Sequence, residues 1–150
     1  MRNRNFKTVK EVLLFMIDQE QLSFDLYHEL AKKSVIVTTK LVLEQLANDE
    51  LRHKVLLTNM LEDEELGSTL VKDGDYLPLI ELITVEDSGN VKKKFFQEAI
   101  NSEIEAYNTY ASLMEKASDP KIKALLLTIA KEELTHRKAL DVELENLVVE

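Results

Sequence analysis

Residues 47–57 read ANDELRHKVLL, and residues 130–140 read AKEELTHRKAL. Each stretch holds a glutamate and a histidine three positions apart, Glu50 with His53 and Glu133 with His136, among apolar residues that return every three or four places. That period is the mark of an amphipathic helix, on which positions i and i+3 project from one face. Leu43, Leu46, Glu50, His53, Leu57 and Met60 make one stripe; Leu126, Ile129, Glu133, His136 and Leu140 make the other. In both, polar groups interrupt at mid-height a seam that should be core.

His53 and His136 lie 83 positions apart, and the same offset pairs much of the chain. It sets Ile17 on Ile100, Glu20 on Glu103, Tyr27 on Tyr110, Leu43 on Leu126, Ala47 on Ala130, Glu50 on Glu133 and Leu57 on Leu140. Two helical hairpins related in this way pack around a pseudo-two-fold axis, and a group near that axis meets its counterpart.

Apolar periodicity predicts four helices, over about 8–33, 37–64, 91–117 and 120–147. An all-α fold as one domain spanning residues 1–150 is the expectation, with short breaks at Ser34 to Val37 and at Ser118-Asp119-Pro120. There Asp119 can cap a helix and Pro120 suits its first turn. Residues 65–90, with Gly67, Gly74, Pro78 and Gly89, form a crossover long enough to run the length of a bundle, its apolar stretch Tyr76 to Ile83 lying on the helices.

Composition narrows the function. Only three glycines and two prolines in 150 residues favour helix over sheet, and the net charge of −9 repels phosphate backbones and anionic lipid. Neither nucleic acid nor membrane is an expected partner. Without a run of about 18 apolar residues or a leader-like segment, the expected location is cytoplasmic. No cysteine is present, so thiolate chemistry and iron-sulfur clusters are excluded, and any metal must sit on oxygen and nitrogen.

Helix one carries the seam Leu13, Ile17, Glu20, Phe24, Tyr27, Ala31, and helix three carries Phe96, Ile100, Glu103, Tyr107, Tyr110, Met114. All four seams thus bring a carboxylate into the core. Four clustered carboxylates repel one another unless they protonate or find a cation. Two divalent ions answer four glutamates in charge, and two neutral imidazoles add ligand atoms without adding charge. Glu20, Glu50, His53, Glu103, Glu133 and His136 are therefore the candidate metal ligands, with Glu20 and Glu103 either completing or bridging the pair. Hard carboxylates with borderline imidazoles suit two iron ions, with manganese or zinc possible.

Asp49 and Glu132, four residues before the two histidines, are candidate acceptors for the second ring nitrogens, each on its own helix or the facing one. Tyr27 and Tyr110 follow the seam glutamates by seven residues. They are either core aromatics whose hydroxyls a carboxylate satisfies or catalytic groups that manage protons and electrons. His28 has no counterpart, alanine standing at 111, and reads as a surface residue. The acidic run Glu62 to Glu65 reads as a solvated end of helix two.

Through E20-x6-Y27, D49-E-L-R-H53, E103-x6-Y110 and E132-E-L-T-H136, the sequence resembles the rubrerythrins of the ferritin-like superfamily over nearly its whole length. The resemblance implies a ferritin-like four-helix bundle with a long crossover between helices 2 and 3, a di-iron carboxylate centre and a homodimer. It implies an oxidoreductase that reduces hydrogen peroxide in oxidative-stress defence; the alternatives are a ferroxidase or iron-handling protein acting with oxygen or peroxide, and a structural metal-binding bundle. Two departures stand out. Lacking cysteine, the chain cannot build the rubredoxin-type centre of full-length rubrerythrins and requires an external electron donor such as a separate rubredoxin. The extra glutamate that rubrerythrins place three residues after the third-helix ligand is here Ala106.

Overall fold

The computed structural model describes residues 6–71 and 89–149. Four long helices and one short one follow in order: α1 Val9–Lys33, α2 Val37–Met60, α3 Glu64–Ser68, α4 Gly89–Lys116 and α5 Pro120–Val149. Among the described residues there is no strand, only an isolated antiparallel bridge between Thr8 and Leu70. No described helix is long and apolar enough to cross a membrane.

The boundaries follow from end chemistry. Thr8 opens α1 with a capping box: its hydroxyl accepts from the Glu11 amide while the Glu11 carboxylate accepts from the Thr8 amide. Lys32 and Lys33 complement the negative end of the helix dipole in its last turn. At the start of α5, Asp119 Oδ1 accepts from the Lys121 amide at 2.8 Å, which lets Pro120 begin the helix without a missing partner.

Helix two is shorter than the sequence reading of 37–64. It ends at Met60, and Asp63 caps a separate α3 by accepting from the Leu66 amide at 2.9 Å. The reason is electrostatic: Glu62 to Glu65 would place four anions at the negative end of α2, whereas the positive N-terminus of a new helix welcomes them. α3 tucks against the start of α1, where the Val9 amide donates to Thr69 O at 2.8 Å and the Val71 amide to Lys7 O at 3.0 Å. The remainder of the predicted crossover, including Tyr76 to Ile83, lies outside the described residues.

α1 packs along α2 and α4 along α5, and the two hairpins also meet through α2 and α5. Two apolar clusters fill the bundle. One joins Val9, Leu13, Met16, Leu57, Met60, Leu113, Leu126 and Ile129; the other joins Leu30, Leu43, Leu46, Phe95, Phe96 and Leu140. The seams sit slightly rotated from the sequence reading. Ile17 and Phe24 on α1, and Tyr107 and Met114 on α4, are half-buried, while Met16, Ser23, Ala106 and Leu113 are buried. An apolar stripe is wider than one residue per turn, and its deepest line depends on where two neighbouring helices press at once.

Candidate metal centre

Glu20, Glu50, His53, Glu103, Glu133 and His136 are all at most 3% exposed, and they converge between the two apolar clusters. Among the described residues seven buried side-chain nitrogen or oxygen atoms have no hydrogen-bond partner. Six of these are one atom from each of these residues: Glu20 Oε2, Glu50 Oε1, His53 Nδ1, Glu103 Oε2, Glu133 Oε1 and His136 Nδ1. Buried polar atoms are normally partnered, so six that share one region need something that is not a protein donor.

Their arrangement divides into two four-residue groups, Glu20-Glu50-His53-Glu133 and Glu50-Glu103-Glu133-His136, each offering ligand atoms within 4.8 Å of one another. Glu50 and Glu133 belong to both, while Glu20 serves only the His53 group and Glu103 only the His136 group. The sequence left Glu20 and Glu103 as completing or bridging residues. The geometry gives them the completing place and gives the shared place to the glutamates of the two Glu-x-x-His pairs. Within the groups, His53 Nδ1 lies 3.5 Å from Glu20 Oε2 and 3.4 Å from Glu133 Oε1. His136 Nδ1 lies 2.9 Å from Glu50 Oε1 and 3.2 Å from Glu133 Oε1. The two imidazoles stack with centroids 5.9 Å apart.

The outer ring nitrogens are held across the bundle. His53 Nε2, from α2, meets Glu132 Oε1 of α5 at 2.7 Å, and His136 Nε2, from α5, meets Asp49 Oδ2 of α2 at 2.9 Å. Each sequence-predicted acceptor therefore serves the facing helix. An ionised carboxylate can only accept, which fixes Nε2 as a protonated nitrogen and turns Nδ1 toward the carboxylate cluster. The hydrogen bond from His136 holds Asp49 down at about 2. Burial raises Glu132, but the hydrogen bonds from His53 and Arg52 outweigh it and keep it low.

Inside, the fields run the other way. Burial and the neighbouring carboxylates push Glu133 up to about 8 and Glu50 well above the usual carboxylate range. Burial opposes charge on His53, yet the carboxylates of Glu20 and Glu133 facing its Nδ1 raise it to about 9. His136 is raised as well, its contacts with Asp49 and Glu103 overcoming burial. Protons and divalent cations compete for the same carboxylate and imidazole atoms, so a cation would displace the protons these groups hold. The orphaned atoms, the charge and the nitrogen-oxygen donor set all fit two such ions.

The tyrosines also cross between halves. Tyr27 of α1 donates to Glu103 Oε1 at 2.6 Å, and Tyr110 of α4 donates to Glu20 Oε1 at 2.5 Å. Burial pushes both phenols well above their ordinary value, so they remain protonated donors. Each glutamate thereby has one oxygen held and the other, Oε2, turned to the cluster. His28 is exposed and stacks on Phe24 at 5.4 Å, apart from the centre.

Three features escaped the sequence reading. Arg52 bridges both outer carboxylates, donating to Glu132 Oε1 at 2.6 Å and Asp49 Oδ1 at 3.3 Å; its place inside the D-E-L-R-H motif was the available signal. Gln19, Ser23, Ser102 and Ala106 line a cavity of about 10 Å³ beside Glu20 and Glu103. Glu143 is 5% exposed with Oε1 unpartnered, at the position where the other hairpin has Met60.

A family model described as Rubrerythrin matches residues 11–144. The chain belongs to the rubrerythrin family. Two solved structures share the fold of this rubrerythrin-family chain. A hypothetical protein of Pyrococcus furiosus is 24% identical with a TM-score of 0.79, the match covering 94% of this chain and 90% of that one. A Thermotoga maritima protein described as ferritin-like and diiron-carboxylate is 20% identical with a TM-score of 0.74, covering 93% and 95%. No curated protein matches the chain.

Proposed function

We propose that this protein is a di-iron carboxylate oxidoreductase that reduces hydrogen peroxide in defence against oxidative stress. The observation that carries the proposal is the set of six orphaned, buried ligand atoms in two groups that share Glu50 and Glu133. Glu20 and His53 would hold one ion and Glu103 and His136 the other, with Glu50 and Glu133 common to both. Manganese or zinc could occupy the same donors, but only a redox-active pair serves this reaction. When bound, the iron pair supplies the two electrons that hydrogen peroxide takes up, with two protons, in becoming two water molecules.

The chain's own groups supply the surroundings. Tyr27 and Tyr110 keep phenolic protons at Glu103 Oε1 and Glu20 Oε1, within one carboxylate of the centre. The flanking apolar clusters exclude bulk water, which strengthens every charge interaction between them. The cavity of about 10 Å³ beside Glu20, Glu50, Glu103 and Glu133 is no larger than a single water, so peroxide would enter only as the surrounding side chains give way. Electrons return from a separate donor such as a rubredoxin, since no cysteine offers an internal iron centre. A homodimer is part of the proposal, supported by Leu41, Val55 and Val142, exposed on the outer faces of α2 and α5.

Rapid mixing of reduced, iron-loaded protein with hydrogen peroxide tests the reading. Oxidation of the ferrous centre within seconds is expected, and a centre that stays ferrous would overturn it. A ferroxidase or iron-handling reading draws on Ala106, which contributes no further carboxylate to hold the ions in place. It requires turnover of ferrous ion in excess over the protein, which the same instrument measures.

A further inference from the structure

The 83-residue repeat relates every ligand to a ligand, but it relates Arg52 to Thr135. Thr135 is exposed, and its hydroxyl turns back to Lys131 O at 3.2 Å. The guanidinium therefore enters the arrangement from one half only. Glu132 Oε1 receives Arg52 Nη2 at 2.6 Å and His53 Nε2 at 2.7 Å on the same oxygen. Asp49 instead divides its work: Oδ2 takes His136 Nε2 at 2.9 Å, while Oδ1 takes Arg52 at 3.3 Å and Gln45 at 3.0 Å.

A carboxylate oxygen that already neutralises a guanidinium has less negative charge to offer an imidazole N–H. The ring it supports is then polarised less, and its opposite nitrogen is a poorer electron donor to an ion. His53 suffers this directly; His136 keeps a carboxylate oxygen to itself. We propose that Arg52 is a positioning residue that makes the two metal positions unequal, so that the first divalent ion taken up settles beside His136. The inference rests on the two-metal reading of the site but not on the reaction assigned to it. The unequal pair gives each ion its own role: the His136 position holds its ion, and the His53 position exchanges it more readily.

The test is an anomalous-diffraction measurement of occupancy in crystals of the full chain given one cobalt(II) per molecule, which separates site preference from the mutual repulsion of two bound ions. The expected result is a preference of about tenfold for the His136 position, within the range by which outer partners alter metal affinity. Arg52→Thr should bring the two occupancies together, and Arg52→Lys, which keeps the cation, should retain most of the bias. The exchange R52T/T135R, which moves the guanidinium to the other half while leaving Asp49 and Glu132 in place, should reverse it. If Arg52→Thr fails to fold, Thr135→Arg alone decides, since a second guanidinium should even out the occupancies. Equal occupancy in the unaltered protein, or an unchanged bias in the exchanged variant, overturns the inference alone. Cobalt in neither position overturns the two-metal reading with it.

Discussion

Leu126 and Glu133 stand two turns apart on α5, the one fully buried and the other 1% exposed, yet burial acts on them with opposite sign. Around Leu126 every neighbour gains from the loss of water. Around Glu133 burial strips water from a carboxylate that faces three more, and the protein recovers the loss only through protons or cations. The lesson is that one helix can drive folding at its ends while its middle layer waits for a ligand.

The widest separation between the two regions should come from substitution. Leu126→Ala should cost about 2–5 kcal/mol of stability with or without metal, read by denaturant unfolding in both states. Glu133→Gln should leave metal-free stability unchanged or higher while abolishing uptake of both ions, because Glu133 belongs to both ligand groups. Glu20→Gln should impair only the His53 side, and element analysis distinguishes one ion from two. If Glu133→Gln destabilised the metal-free protein as Leu126→Ala does, the contrast would be wrong.

Metal itself should act on the middle layer alone. Ferrous or cobalt(II) ion at a thousandfold its dissociation constant should stabilise the fold by about 4 kcal/mol, a gain that Leu126→Ala retains and Glu133→Gln loses.

A smaller effect should appear with pH. In the folded metal-free protein Glu133 rises from 4.5 to about 8 and His53 from 6.5 to about 9. Both hold protons that the unfolded chain has released, so the stability they contribute is full at acid pH and disappears as pH climbs through those higher values. Asp49, lowered from 3.8 to about 2, works oppositely, and its contribution is lost only as pH falls through that range. The melting temperature of the metal-free protein should therefore be highest near pH 4–5 and fall steadily to pH 9. Leu126→Ala should shift that curve downward without changing its slope, and Glu133→Gln should flatten it.

The smallest effect should come from Tyr110→Phe, which removes one hydrogen bond to Glu20. A loss of about 1 kcal/mol is expected, accompanied by weaker metal binding at the His53 side.

Much of this was legible beforehand. The helical period, the offset that pairs the halves and the six polar residues in apolar seams all lie within short stretches of chain, where spacing along a helix decides which side chains share a face. Even the start of α5 at Asp119-Pro120 could be read, because a cap is made by neighbours. The end of α2 was missed because Glu62 to Glu65 continue a helical composition, and only the competition between two helix ends moved Asp63 from one to the other.

The sequence by itself determined which residues would be buried and charged together, since a glutamate flanked by apolar neighbours at helical spacing must enter the core. Only the tertiary structure decided how they are shared: Glu50 and Glu133 between both groups, Glu132 with His53, Asp49 with His136, and each tyrosine with the other hairpin's glutamate. Those pairings join residues 76 to 90 positions apart. They depend on the angle and register at which two hairpins pack, and no local pattern encodes those.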